Sequence, residues 1–568
     1  MIARALVALA LLATPALAAA PPPVAAENGM VACAQKLACE VGVDVMKKGG
    51  NAVDAAVAVG YALAVAYPAA GNLGGGGFMT IVFADGRKTF IDFREKAPLK
   101  ATRDMYLGPD GEVVKGLSTR GALAIAVPGT VGGLEYAREK YGTLARADLI
   151  DPAIKLAENG FALDYGDLIP LALAAPELSK TPAAAAIFLH DGRPYLPGET
   201  LVQKDLAHTL RAIRERGAAG FYQGEVGAAL VASVQAGGGL LSAEDLQRIA
   251  PRELAPIACD YRGYEVVSAP PPSSGGVTLC EMLDILEGYD LKGLGFGSAQ
   301  ALHDEIETMR HAYVDRNNLL GDPAFVDNPV DRLLAKDYAA KIRAAIDPAR
   351  ATPSAQLAPG KPPHEGVNTT HYSIVDNKGD AVAVTYTLND WFGSGVVADG
   401  TGVLLNDEMD DFTAKVGAPN QFGLVQGSKN EIAPGKTPLS SMAPTIVVKD
   451  GKPLMLTGTP GGSRIITVVM QTILNVIDYG MTISEAVDAP RIHNQWLPDV
   501  TYTEPFALSP DTRKILEDMG HHFGPPLPAN HIDAILIGAP KIGGKPVGAN
   551  RFYGVNDERR GTGAAVGY

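Results

Sequence analysis

Stacked β-sheets under helical cover, an α+β arrangement in one domain, are the fold class this sequence predicts. Three observations predict it. Ala-rich amphipathic runs dominate the first half, with short strand segments set among them. From residue 369 onward strand pairs take over, separated by one long apolar helix. No shift in composition marks a second independent domain, although 568 residues would by length alone point to about three or four.

Composition narrows the class. Hydrophobic residues make up 47% and charged residues 20%, which gives a globular chain with ample core. The net charge of −14, with no basic run, argues against a nucleic-acid surface. No repeat of 20 to 50 residues stands out.

Taken in order, "MIARALVALALLATPALAAA" has Arg4 as a short positive region, an apolar stretch and small residues near "ALA". That is a secretory signal peptide, residues 1–19, with cleavage near Ala18 to Ala20, and it points to the periplasm or to secretion. From 31 to 68 the pattern reads as helical, broken at "KKGGN" by a glycine-marked end and a new cap. "NAVDAAVAVGYALAVAYPAA" is nearly apolar, but Asp54 and its many Ala and Gly favour a buried helix over a membrane span. "GNLGGGGFMTIVFADGRKTFIDFRE" reads as a glycine turn, a strand, a turn at Asp85-Gly86 and a second strand. Residues 130 to 250 are mostly helical. Strand character returns over 256–278, and "LHDEIETMRHAYVDRNNLL" is the next helix.

Residues 345–368 have linker composition. Beyond them "THYSIVD" pairs with "AVAVTYTL" as a hairpin, and "MAPTIVVKDGKPLMLTGT" forms another strand pair. "RIITVVMQTILNVIDYG" is a helix, and further strands end in "GAAVGY".

Familiar chemical signatures are missing. The four cysteines, Cys33, Cys39, Cys259 and Cys280, have no metal-site spacing. A Cys259–Cys280 bridge and buried free thiols are both compatible with the pattern. There is no HExxH, no G-x-S-x-G elbow and no cofactor fingerprint, so neither metal nor cofactor is expected. The glycines of "GNLGGGGF" follow a helix instead of a strand, which disfavours a phosphate loop.

Two threonines, Thr369 and Thr370, stand where the linker meets the first hairpin strand. Thr commonly begins strands, so position alone says little. A Thr hydroxyl is a poor nucleophile unless a base stands beside it, and a chain-terminal Thr carries that base as its own α-amine. Cutting Asn368–Thr369 would create such a terminus. The products would be a large chain, 20–368, and a small chain, 369–568.

In the second half, "NTTHYSIVD", "VTYTLN", "LLNDEMDDF", "PLSSMAPTIV" and "TGTPGGSRIIT" resemble the small subunit of γ-glutamyltranspeptidases. In the first half, "GMVA", "GGNAVDAAVA", "GGGGFM", "IDFRE", "AVPGTVGGL", "FYQG" and "PPSSGG" resemble the large subunit in order. The resemblance spans essentially the whole mature chain. It implies a four-layer αββα sandwich of the N-terminal nucleophile hydrolase type, with both chains woven into one domain as a heterodimer. It also implies an enzyme that takes glutathione and other γ-glutamyl compounds and passes the acyl group to water, an amino acid or a dipeptide.

The same resemblance assigns roles. Thr369 would be both autoprocessing residue and nucleophile, cutting after Asn368, and Thr387 would orient its hydroxyl and amine. Gly461 and Gly462 would offer N–H groups to an oxyanion, since glycine lets donors approach closely. Arg94, Ser440 and Ser441 would hold the substrate α-carboxylate, and Asn389, Glu408 and Asp411 its α-ammonium. Between Asp411 and Pro438 the Gly- and Pro-rich loop resembles a lid. Phe422 stands where some relatives carry Tyr, which leaves apolar cover without a hydroxyl. Glu408 is within the family's range, which uses Gln or Glu. Two other readings stay open: a glutaryl-type β-lactam acylase of the same fold, and a secreted non-catalytic homologue.

Overall fold

A computed structural model describes residues 20–357, 369–528, 530–538, 541–542, 545–546 and 548–568. The leader and the last eleven residues of the linker stretch, Asn368 among them, lie outside the described residues. In chain order the strands of the two large sheets are β1 (Val24–Ala26), β2 (Met30–Cys33), β3 (Gly76–Val82), β4 (Lys88–Asp92), β5 (Arg252–Leu254), β6 (Ile257–Tyr261) and β7 (Tyr264–Ser268). They continue as β8 (Thr370–Val375), β9 (Ala381–Thr387), β10 (Thr445–Lys449), β11 (Lys452–Thr457), β12 (Asp533–Ile537), β13 (Phe552–Asn556) and β14 (Ala564–Gly567). One sheet runs β1-β13-β12-β11-β10-β7-β6 and the other β14-β2-β8-β9-β3-β4-β5. Each therefore draws strands from both sides of residue 368.

Side-chain alternation explains the layering. On β9, Ala381 and Ala383 enter a core between the sheets with Met30, Val267, Ile446, Leu456 and Ile535. The alternate residues Val382, Val384 and Tyr386 face outward, into a core shared with α1 (Lys36–Lys47) and α2 (Ala52–Ala66). On the other sheet Val266, Val447, Met455 and Leu536 face α3 (Gly275–Leu286), α4 (Ala299–Leu319) and α5 (Arg464–Ile477). Period-2 strands that are apolar on both faces thus produce helix, sheet, sheet, helix. Each fully buried Val, Ile or Leu contributes roughly 1.5–3 kcal/mol to holding those layers. The fold is the expected four-layer αββα sandwich.

Local signals hold where the physics is local. Asn51 caps α2 by accepting from Val53 and Asp54 N–H, after Gly49 at φ 96°. Asp54 is buried yet fully used, accepting from the Thr143 N–H and hydroxyl and from the N–H groups of Leu144 and Asn51. Among the described residues no helix is long and apolar enough to cross a membrane. The 85–86 turn and the 370–387 hairpin form as expected.

Two expectations are corrected, and the open cysteine reading resolves to bridges. Residues 31–33 belong to a strand, β2, because both faces of it are buried and the alternation that marks a strand is lost. Strand character over 256–278 ends at Ser268, and Gly275 onward is already α3. The cysteines are all paired, Cys33 with Cys39 and Cys259 with Cys280, so no free thiol remains among them.

Candidate active site

The register of the central sheet assembles one end of it. Thr370 pairs with Tyr386 and Thr387 with Gly76, so Thr369 and Thr387 reach the same edge. Phe93, just past β4, exchanges hydrogen bonds with Gly77, which brings Arg94 to that edge as well. The glycine run is needed for this approach. A Cβ on Gly75 would meet the Thr387 carbonyl oxygen at 1.9 Å. Packing, not phosphate, accounts for those glycines.

A small cavity opens there. Thr369, Thr387, Asn389, Arg94, Glu408 and Asp411 line it, together with Ser440, Ser441 and Gly462. Of the ten described candidates from sequence, only Gly461 is not on the wall; it sits one residue back, where a Cβ would meet Asn530 Nδ2 at 2.5 Å. Asn368 lies outside the described residues. Among the described residues no histidine, lysine or cysteine lines the cavity. The histidine nearest in sequence, His371, is tied to Thr385 and Ser373, and burial pushes its imidazole down to about 3.

Thr387 Oγ1 accepts the Asn389 N–H at 2.8 Å, and Asn389 takes φ 80°, with its Nδ2 donating to the Asp407 carbonyl. That left-handed turn aims Asn389 into the cavity. Glu408 to Asp411 form a 3₁₀ turn that presents two carboxylates. Arg94 is ion-paired with both, to Asp411 Oδ2 at 2.5 Å and to Glu408 Oε1. Burial alone would lower the Arg94 value, but the carboxylates of Glu408, Asp411 and Glu95 outweigh it and hold the guanidinium above the ordinary arginine range. Burial lifts the Glu408 carboxyl well above its usual value, with Arg94 pulling it back. It lifts Glu95 up to about 7. Ionic contact has not satisfied this cluster. Among the described residues neither Glu408 oxygen accepts a hydrogen bond, and Arg94 Nε donates none.

Gly462, at φ 55°, lies in the turn before α5, so the positive end of that helix faces the cavity. Phe422 closes over it. A Cβ on Gly462 would meet Phe422 Cδ1 at 2.4 Å, and the Phe422 carbonyl is held by Gln495 Nε2. Phe422 thus covers this turn with an apolar ring and a main-chain contact. Around it, Gln421 donates through its N–H to Asp410 and through Nε2 to Asp407. Sequence reasoning missed Gln426, Asn430 and Arg316, which support the walls from behind. Nothing in their local spacing announces it.

The sandwich with this end-of-sheet cavity is that of an N-terminal nucleophile hydrolase. The family model described as gamma-glutamyltranspeptidase matches residues 38–567, and the chain belongs to that family of enzymes. It is 66% identical over 552 residues to the glutathione hydrolase proenzyme of Pseudomonas sp. strain A14, covering 97% of this chain and 96% of that one. With the glutathione hydrolase proenzyme of Escherichia coli K12 it shares 49% identity over 548 residues, 96% of this chain and 93% of that one. Among solved structures, a cephalosporin acylase from Bacillus halodurans superposes with a TM-score of 0.83 at 27% identity, covering 98% of each chain.

Proposed function

We propose that this enzyme is a γ-glutamyltransferase and glutathione hydrolase, made active by its own cleavage at Asn368–Thr369. The observation that carries the reading is the cavity wall. A guanidinium and two buried carboxylates stand together beside a threonine hydroxyl, with acceptor and donor atoms still unsatisfied. A zwitterionic α-amino acid end suits that wall, because its carboxylate and ammonium each meet the opposite charge.

Activation would begin with Thr369 Oγ adding to the Asn368 carbonyl. The C–N bond breaks, the proton passes to the departing Thr369 nitrogen, and an ester links the chains. Water hydrolyses it, which frees the 369–568 chain with Thr369 at its terminus. In turnover the Thr369 amine takes the hydroxyl proton while Oγ attacks the γ-carbonyl. Among the described residues no imidazole lines the cavity wall, and the amine of a terminal Thr369 is the base at hand. Thr387 holds the nucleophile's orientation. The N–H groups of Gly461 and Gly462 receive the oxyanion, helped by the α5 dipole. The amine leaves with the proton, and water or an acceptor amine releases the γ-glutamyl group. Arg94, Ser440 and Ser441 take the α-carboxylate, and Asn389, Glu408 and Asp411 the α-ammonium. The leader pattern supports export, with the periplasm as the site of action.

The likeness to a cephalosporin acylase keeps a glutaryl substrate as the second reading. Such a group has the carboxylate but no ammonium, and would leave Glu408 and Asp411 with no substrate cation to meet. Rates on γ-glutamyl and glutaryl anilides, each with and without an acceptor dipeptide, separate the two. We expect release from the γ-glutamyl anilide alone, faster with the dipeptide. Equal rates on the glutaryl anilide would overturn the assignment.

A further inference from the structure

Arg316 lies on α4, one layer behind the cavity, and is 1% exposed. Among the described residues no carboxylate comes within ion-pair distance of it. Its donors go instead to neutral oxygens. Nε donates to Ser274 Oγ at 3.1 Å, Nη1 to Asn317 Oδ1 and Gln426 Oε1 at 3.0 Å each, and Nη2 to Ser441 Oγ at 2.9 Å. Burial pushes the guanidinium down to about 10, partly countered by Tyr313 and Asp411, so it stays charged at neutral pH. An inward-facing cation without a counter-ion is costly unless an anion comes to it.

Hydrogen-bond direction shows what it does to the wall. A guanidinium only donates, so Ser441 Oγ must accept from Arg316, and the Ser441 hydrogen is left to point elsewhere. Ser440 is in the same position, since its Oγ accepts the Met442 N–H at 3.0 Å. Both serines line the cavity. Each hydroxyl is thereby turned into a donor toward the space in front of it, a pair suited to two oxygens of one carboxylate. Gln426 extends the linkage, because its Nε2 donates to the Asp411 carbonyl at 3.1 Å while its Oε1 accepts from Arg316.

We propose that Arg316 is a positioning residue for substrate recognition: it fixes Ser441 as a donor to the substrate carboxylate and, through Gln426, sets that donor in register with Asp411. This rests on the reading of the cavity as an acyl-donor site whose ligand carries a carboxylate.

The test uses the processed enzyme and three anilides: γ-glutamyl (carboxylate and ammonium), glutaryl (carboxylate only) and 4-aminobutyryl (ammonium only). Arg316→Met is expected to raise KM about tenfold for the two carboxylate-bearing substrates, with kcat within about threefold. It should leave kcat/KM for the 4-aminobutyryl anilide unchanged. Placed on Ser441→Ala, Arg316→Met should add less than about twofold, because the two act through one hydrogen bond. If Arg316→Met does not process itself, Arg316→Lys is read the same way; a lysine keeps the charge but not the fork, so a smaller KM rise with the same selectivity is expected. Equal losses on all three substrates, or additive effects with Ser441→Ala, would overturn the inference. A parent enzyme that favours the glutaryl anilide would instead sink the γ-glutamyl assignment, and the carboxylate selectivity of Arg316 would survive it.

Discussion

Thr369 is buried at the cavity with Thr387 beside it, and among the described residues no imidazole lines the wall, so the proposed chemistry depends on what cleavage supplies. Thr369→Ala is expected to remain a single chain on a denaturing gel and to turn over no γ-glutamyl anilide; spontaneous splitting at the same bond would contradict that. In the proposed reading Asp411 holds the substrate ammonium by charge. Asp411→Asn is expected to raise KM for the γ-glutamyl anilide by about 10- to 100-fold while changing the glutaryl anilide little. Glu95 makes a pH prediction. Its folded value near 7 lies above the ordinary 4.5, so the fold binds the proton longer. That stability is complete below the ordinary glutamate range and declines as pH rises toward 7. Calorimetry should find that Glu95→Gln, a mimic of the protonated acid, raises Tm at about pH 8 and changes it little at about pH 4. A pH-independent difference would count against it. At this scale the motifs made Arg94, Asp411, Ser440 and Ser441 legible, since each stands in a recognisable short string. Arg316 was not legible. Its meaning lies in meeting Ser441, 125 positions away in the chain, and no local pattern encodes that.

Among elements, the β8–β9 hairpin was read correctly because alternation and the turn at 376–380 agree. Asp376 there accepts the N–H groups of Lys378, Gly379 and Asp380. β2 was misread as helix for the opposite reason: four buried residues give no period to read. The lid depends on tertiary packing, which sequence showed only as a Gly- and Pro-rich stretch with two aromatic residues, Phe412 and Phe422. Phe422→Ala removes the ring that covers Gly462, and the expected outcome is a KM rise of about tenfold for the γ-glutamyl anilide. An unchanged KM would mean that the ring does not govern closure.

For the whole molecule, the interleaving of strands matters most. Each sheet takes strands from both sides of residue 368, so severing that bond would leave every strand pairing intact. Both disulfides lie within residues 20–368, and neither would tie the large chain to the small one. The cleaved enzyme is therefore expected to elute as one heterodimer under native conditions. In denaturant it should separate into two chains whether or not a reductant is present. A band that needs reductant to resolve would contradict the pairing. Sequence made the layered class visible through its alternating runs; which strands interleave is decided by long-range register, which composition and periodicity do not carry.

Intact-mass and N-terminal measurement on catalytically active protein tests the central claim most directly. A small chain that begins at Thr369, in equal amount with a larger partner, is the expected result. Full activity in material whose 368–369 bond is unbroken would contradict it.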